Sequence, residues 1–296
     1  MTLQSRLPQL ILFLLLSAMM LPLAFLLLSA MMLPLARAQE GSLDKSQPQG
    51  ATPEQIIKRF AAKEKEFKEA RDQYTYRQEV KVQTVDGDTV TGEYREVFDV
   101  LFDDKAKRLE NVVFAPQSTL ENGGISMTKE DFDDIRNRLP FVLTSDEIGE
   151  YDVLYVGQQQ QDELHTYVFD IAPKVIEKNK RYFQGRVWVD DHDFQIVKTF
   201  GKTVPDIRKA KKGQENLFPK FTTWREQIDG RYWFPTYTKA DDTLHFALQS
   251  VHIREIVKYE NYQRFGSKVR ITYEGKEVEK GGKKPEDQKP PDQKPQ

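Results

Sequence analysis

The sequence contains no cysteine. Disulfides, thiolate metal sites and cysteine nucleophiles are therefore excluded. A lipid-modified N-terminus is excluded too, because that modification needs a cysteine at the cleavage site. Histidine is scarce, with only His165, His192, His245 and His252, and no pair stands at HExxH spacing. Charge of one sign is not in excess: 44 Lys and Arg face 46 Asp and Glu, for a formal net charge of -2. Nothing in that balance favours nucleic acid or an anionic membrane surface. There is no GxSxG elbow, P-loop or GxGxxG, and Asn122-Gly123-Gly124 is too short to cradle a phosphate. No βαβ alternation appears, which argues against a parallel sheet. No cofactor and no catalytic residue is expected.

A long apolar run occurs once, from Leu10 to Leu35. Arg6 stands before it and Ala36-Arg37-Ala38 after it. A positive start, an apolar stretch and small residues at the -3 and -1 positions make a signal peptide, residues 1–38, cleaved before Gln39. Pro34 would break the helix just ahead of that site. The run is a tandem duplication: Phe13–Ala24 reads FLLLSAMMLPLA and Phe25–Ala36 repeats it. Two copies are long enough to span a bilayer, so an uncleaved N-terminal inner-membrane anchor is the rival reading. Both place the rest of the chain outside the cytoplasm, in the periplasm.

The full chain is 39% hydrophobic and 30% charged, which is globular composition. Residues 39–50 are polar and read as a linker. Residues 276–296, rich in Lys, Pro, Gln and Glu without aromatics, read as a disordered tail. Residues 51–275 read as one domain. It opens with a helix: Thr52 caps, Pro53 suits the first turn, Gln55 completes a capping box, and Ile56, Phe60, Phe67 and Ala70 form an apolar stripe. Strands follow, with Tyr74, Tyr76, Val80 and Val82 on one face of the first. Asp86-Gly87-Asp88 is a hairpin turn. Tyr94, Phe98, Val100 and Phe102 share a face of the return strand, and Leu109 to Phe114 makes a third. An excursion runs from Ala115 to Glu150. Within it Thr128 caps a short helix with Asp131 three residues on; Phe132, Ile135 and Leu139 share its apolar face and Pro140 stops it. Eight further strand segments lie between Tyr151 and Tyr273. The expected fold is α+β, mainly β: a single curled antiparallel sheet with helices on its concave face.

The chemistry-bearing clusters are few. Asp190-Asp191-His192-Asp193 could bind a divalent cation, but it sits where a hairpin must turn, and Asp is favoured there because it bonds the local backbone. The turn is the preferred reading. Asp241-Asp242 reads as a strand end. Arg208-Lys209-Ala210-Lys211-Lys212 falls in an expected loop without interleaved aromatics, which is no nucleic-acid platform. The aromatic load is high, with 18 Phe, 12 Tyr and 3 Trp, mostly on strands. Strand preference accounts for many of them, and an apolar cavity would use the rest.

The segment Tyr182–Thr199, YFQGRVWVDDHDFQIVKT, resembles the strand–turn–strand signature of the outer-membrane lipoprotein-sorting superfamily, the LolA-like and RseB-like proteins. Phe183, Gly185, Val187, Trp188, Val189 and Asp190 match it, followed by Phe194, Ile196 and Val197. Arg225 to Gly230 with Tyr232-Trp233-Phe234-Pro235 fits the next hairpin. The resemblance implies an unclosed β-barrel whose helices cover an apolar concave side. It also implies, as partners, lipid acyl chains or lipidated proteins, or an envelope membrane protein if the fold acts as a sensor. On that expectation a lid carrying Phe132, Ile135 and Leu139 covers a cavity lined by Phe98, Val100 and Phe102.

Overall fold

The computed structural model describes residues 40–103, 107–205, 207–210, 213–265, 272–273 and 276–277. The apolar N-terminal segment, its expected cleavage site and the tail beyond Glu277 lie outside the described residues. The chain divides into a main unit, residues 43–159 with 165–296, and a small one in which residues 1–42 accompany 160–164. In the small unit Glu40 makes an isolated bridge to Gln161. All that follows concerns the main unit.

Its strands are β1 (Tyr74–Asp86), β2 (Thr89–Phe102), β3 (Arg108–Phe114), β4 (Tyr151–Gln161), β5 (Leu164–Pro173), β6 (Tyr182–Asp190), β7 (Ile196–Val204), β8 (Ile207–Ala210), β9 (Gly213–Asn216), β10 (Phe221–Ile228), β11 (Tyr232–His245) and β12 (Ser250–Arg264); β13 (Thr272–Tyr273) pairs only with β14 (Lys276–Glu277). The main sheet runs β3-β2-β1-β12-β11-β10-β7-β6-β5-β4 and does not close into a barrel. Consecutive strands pair as antiparallel hairpins almost throughout. The long-range step is β1 against β12, with Val82 opposite Glu255 and Val80 opposite Val257. The consecutive strands β3 and β4 end up on opposite edges. The basic run Arg208–Lys212, expected as a loop, instead belongs partly to the β8–β9 hairpin, in which Arg208 faces Glu215. The hairpin joins the main sheet through the pairing of Asn216 with His245 on β11. Asp44, in the expected linker, bridges Gln158 on β4.

Among the described residues two α-helices accompany the sheet: α1 (Pro53–Arg71) and α2 (Lys129–Asn137). Thr52 Oγ1 accepts the Gln55 amide at 3.3 Å, and Gln55 Oε1 accepts the Thr52 amide at 3.0 Å. This reciprocal cap fixes the start of α1. Its inward stripe is Ile56, Phe60, Glu64 and Phe67, all fully buried. Phe60 meets Phe169 on β5 with ring centroids 5.5 Å apart, and Phe67 meets Phe234 on β11 edge-on at 5.1 Å. Those residues lie about 10 Å apart along a helix axis, whereas β5 and β11 would be about 19 Å apart in a flat sheet. The sheet therefore curls around α1, and the core fills the concave side.

The Asp190–Asp193 segment is a turn. Asp190 Oδ2 accepts the amides of His192 at 3.1 Å and Asp193 at 2.9 Å, and Trp233 Nε1 donates to Asp193 Oδ2 at 2.8 Å. Burial pushes the Asp190 carboxyl up to about 6, against the pull of the backbone amides.

Candidate functional site: an apolar cavity with a buried carboxyl

The excursion between β3 and β4 carries α2 over the inward face of the sheet. Thr128 Oγ1 accepts the Asp131 amide at 3.3 Å while Asp131 Oδ2 accepts the Thr128 amide at 2.7 Å, so the helix starts where the sequence marks it. A helix this short is not stable in isolation and must be held by its surroundings. Arg136 makes a two-point ion pair with Glu110 on β3, both bonds 2.8 Å. Asp134 pairs with Arg181 ahead of β6 at 2.5 Å. Thr223 Oγ1 on β10 donates to the Leu139 carbonyl at 2.8 Å.

The segment after α2 is anchored more deeply. Arg225 on β10 donates to the Phe141 carbonyl and, at 3.0 and 3.1 Å, to both carboxylate oxygens of Glu64 on α1. The Ile196 amide donates to Glu64 Oε1 at 3.1 Å. The guanidinium also lies 5.1 Å from the Phe67 ring centroid. The pair is wholly buried, with side-chain exposures of 1% and 0%. One arginine thus joins α1, β10 and the lid segment.

Between α2 and the sheet lies a cavity of about 530 Å³, within the roughly 300–1,000 Å³ span of small-molecule sites. Its apolar wall is formed by Val82, Ile135, Leu139, Phe221, Leu244 and Ile253. Ile125, Met127, Leu217 and Phe218 close it toward the rim, where Glu121, Ser126, Thr128 and Glu130 are exposed. A second cleft, of about 670 Å³, borders the C-terminal part of α2 and is polar, with Lys68, Arg71, Arg138, Lys180, Glu147 and Glu150 around it.

Of the six residues expected at a ligand site, Ile135 and Leu139 line the cavity. Phe98 and Val100 are buried in the main core, and Phe102 packs half-buried against it. Phe132 meets Tyr94 edge-on, centroids 5.8 Å apart. The wall facing α2 comes from β1, β10, β11 and β12 rather than from β2. The cause is the β1–β12 pairing, which brings the last long strand beneath the lid.

One functional candidate escaped the sequence reading. Along β12 the inward residues are Val251, Ile253, Glu255, Val257 and Tyr259, all buried. Glu255 is the single ionisable carboxyl in that stripe. It is 7% exposed and lines the cavity. Burial, then the negative charges of Asp131 and Asp134, push its carboxyl up to about 8. Asp134, also on the lining, is pushed up to about 6 by burial, with Arg181 pulling the other way. An acid at an inward position of an otherwise apolar alternation was the available signal.

No protein-family model and no curated protein matches the sequence. Solved structures do match. The chain is similar to a DUF1329 family protein from Desulfovibrio piger, 14% identical with a TM-score of 0.38, over 71% of this chain and 92% of that one. It is similar to a LolA superfamily protein from Nitrosomonas europaea, 12% identical with a TM-score of 0.29, over 68% and 92%. A chain of the MucA/MucB complex of Pseudomonas aeruginosa matches at 10% identity and a TM-score of 0.19, over 67% and 94%. These are likenesses of fold.

Proposed function

We propose that the protein is a periplasmic binder or carrier of lipids or lipidated proteins, which takes an acyl chain into the cavity beneath α2. The observation that carries this is the cavity itself, with an apolar wall built by four strands and one short, tethered helix. Each methylene that leaves water contributes about 0.8 kcal/mol. About eight of them would supply roughly 6 kcal/mol without any charged contact. Such a ligand needs a way in, and α2 offers one: it is short, capped by its own Thr128, and held to β3 by a half-buried ion pair.

A second reading is an envelope sensor or protein-interaction module on the same fold. The observation in its favour is β3, an edge strand whose Val112, Val113 and Phe114 are exposed. An edge strand with apolar side chains is a template for pairing with another chain. Transfer of labelled lipoprotein between membranes separates the two. The carrier moves the label, whereas the sensor binds without transfer. Native mass spectrometry of freshly purified protein tests both against a wholly different role: co-purified lipid is expected, and its absence together with no uptake of added lipid would contradict the binding function.

A further inference from the structure

The two buried glutamates of the main unit are treated differently. Glu64 is met by a guanidinium and a backbone amide. Glu255 has, among the described residues, no hydrogen-bond or ion-pair partner, although it is 7% exposed. A buried carboxylate without a partner costs several kcal/mol. Its cross-strand neighbours are Val82 on β1 and Ala240 on β11, which offer no donor side chain. From α2 it faces Asp131 and Asp134, both acidic. Asp131 is engaged by Thr128, and Asp134 by Arg181, with Arg138 also acting on it. Among the described residues the charged groups of the cavity lining are Glu121, Glu130, Asp131, Asp134 and Glu255. The described lining is thus apolar where it is deep, with Glu255 facing acidic groups of α2.

We propose that the cavity prefers an amphiphile whose polar end is an ammonium group, with Glu255 as its counter-ion and the apolar chain against Ile135, Leu139, Leu244 and Ile253. This deepens the acyl-chain reading by assigning the charge of the ligand's polar end. An anionic head would meet Glu255 and the negative charge of Asp131 and Asp134 beside it. A neutral head would leave Glu255 to keep its proton. An ammonium supplies the charge that the fold withholds, in the same manner as Arg225 supplies it to Glu64. Binding near neutral pH would then ionise Glu255, and the displaced proton passes to buffer.

The test uses the protein purified from cells and stripped of lipid, titrated calorimetrically with decylammonium, decanol and decanoate below their micelle concentrations. The expected result is that decylammonium binds at least tenfold tighter than decanol, and decanoate weakest. At pH 7 the heat of amine binding should depend on the buffer's ionisation enthalpy, reporting about one proton released, a readout that needs no variant. Affinity for the amine should rise from pH 6 to 8 while that for decanol stays flat. Glu255→Gln should bring the affinity for the amine down to that for decanol measured on the same variant. Equal affinities for amine and alcohol, or an amine preference that persists in Glu255→Gln, would overturn the assignment while leaving acyl-chain binding standing. Failure of all three ligands to bind would remove both.

Discussion

Glu64 and Glu255 share a chemistry and differ in company, and that difference has measurable consequences. Removing the guanidinium from the first pair leaves a buried carboxylate alone, so Arg225→Met should cost about 3–5 kcal/mol. Replacing both, with Glu64→Leu beside Arg225→Met, should recover most of the loss, because two apolar side chains of similar size need no counter-charge. Urea unfolding of the two variants measures this, and a double variant as unstable as the single would deny that charge burial is the cause. Glu255 acts on pH dependence instead. Its carboxyl goes from the usual 4.5 up to about 8 on folding. The folded state therefore holds a proton that the unfolded chain has released. The associated stability is fully present below the usual value and lost as pH rises through about 8. Between those limits the slope is at most about 1.4 kcal/mol per pH unit. Glu255→Gln should abolish that part of the slope, seen by comparing unfolding of both proteins from pH 5 to 8.

At the scale of elements, α2 and the residues that directly follow it have different duties. Ile135 and Leu139 are buried in the core cluster, and the Leu139 carbonyl is bonded to Thr223. Phe132 is half-buried against Tyr94. Leu139→Ala should accordingly cost about 2–5 kcal/mol. Phe132→Ala should cost less and should speed ligand release, since an element that opens locally contributes little to global unfolding. Thermal unfolding with stopped-flow release of a fluorescent fatty acid checks the pair; equal losses of stability with unchanged release would make all of α2 permanent core. The start of this helix was legible because Thr128 and Asp131 state it locally, while its end falls at Asn137, short of the expected Leu139. So were the hairpins, where turns such as Asp86-Gly87-Asp88 and Asp229-Gly230 interrupt alternating strands. The β1–β12 ladder was not, because no local turn connects strands so distant in the chain. That one pairing decides which residues lie under the lid, which is why Val82, Leu244 and Ile253 line the cavity while Phe98 and Val100 went to the core.

For the whole molecule, β3 and β4 stand at opposite ends of the strand order because the excursion from residue 115 to 150, which carries α2, replaces a hairpin between them. An unclosed sheet keeps a concave side that one helix alone does not fill. The remaining space is the cavity, and its polar character comes from carboxyls the sequence hid inside strands and a capping box. Occupancy should stabilise the fold by mass action, about 2.7 kcal/mol at a ligand concentration of 100 Kd. Melting temperature should therefore rise with added decanol, less so in Leu217→Trp, which narrows the cavity at its rim; equal rises would place the ligand elsewhere.

Methyl NMR of the lipid-stripped protein during titration with a ten-carbon chain tests the central claim most directly. The account predicts saturable shifts at the methyl groups of Ile125, Met127, Ile135, Leu139, Leu244 and Ile253, with Val112 and Val113 on the edge strand unmoved. Shifts confined to the edge strand, or none at the cavity methyls, would contradict it.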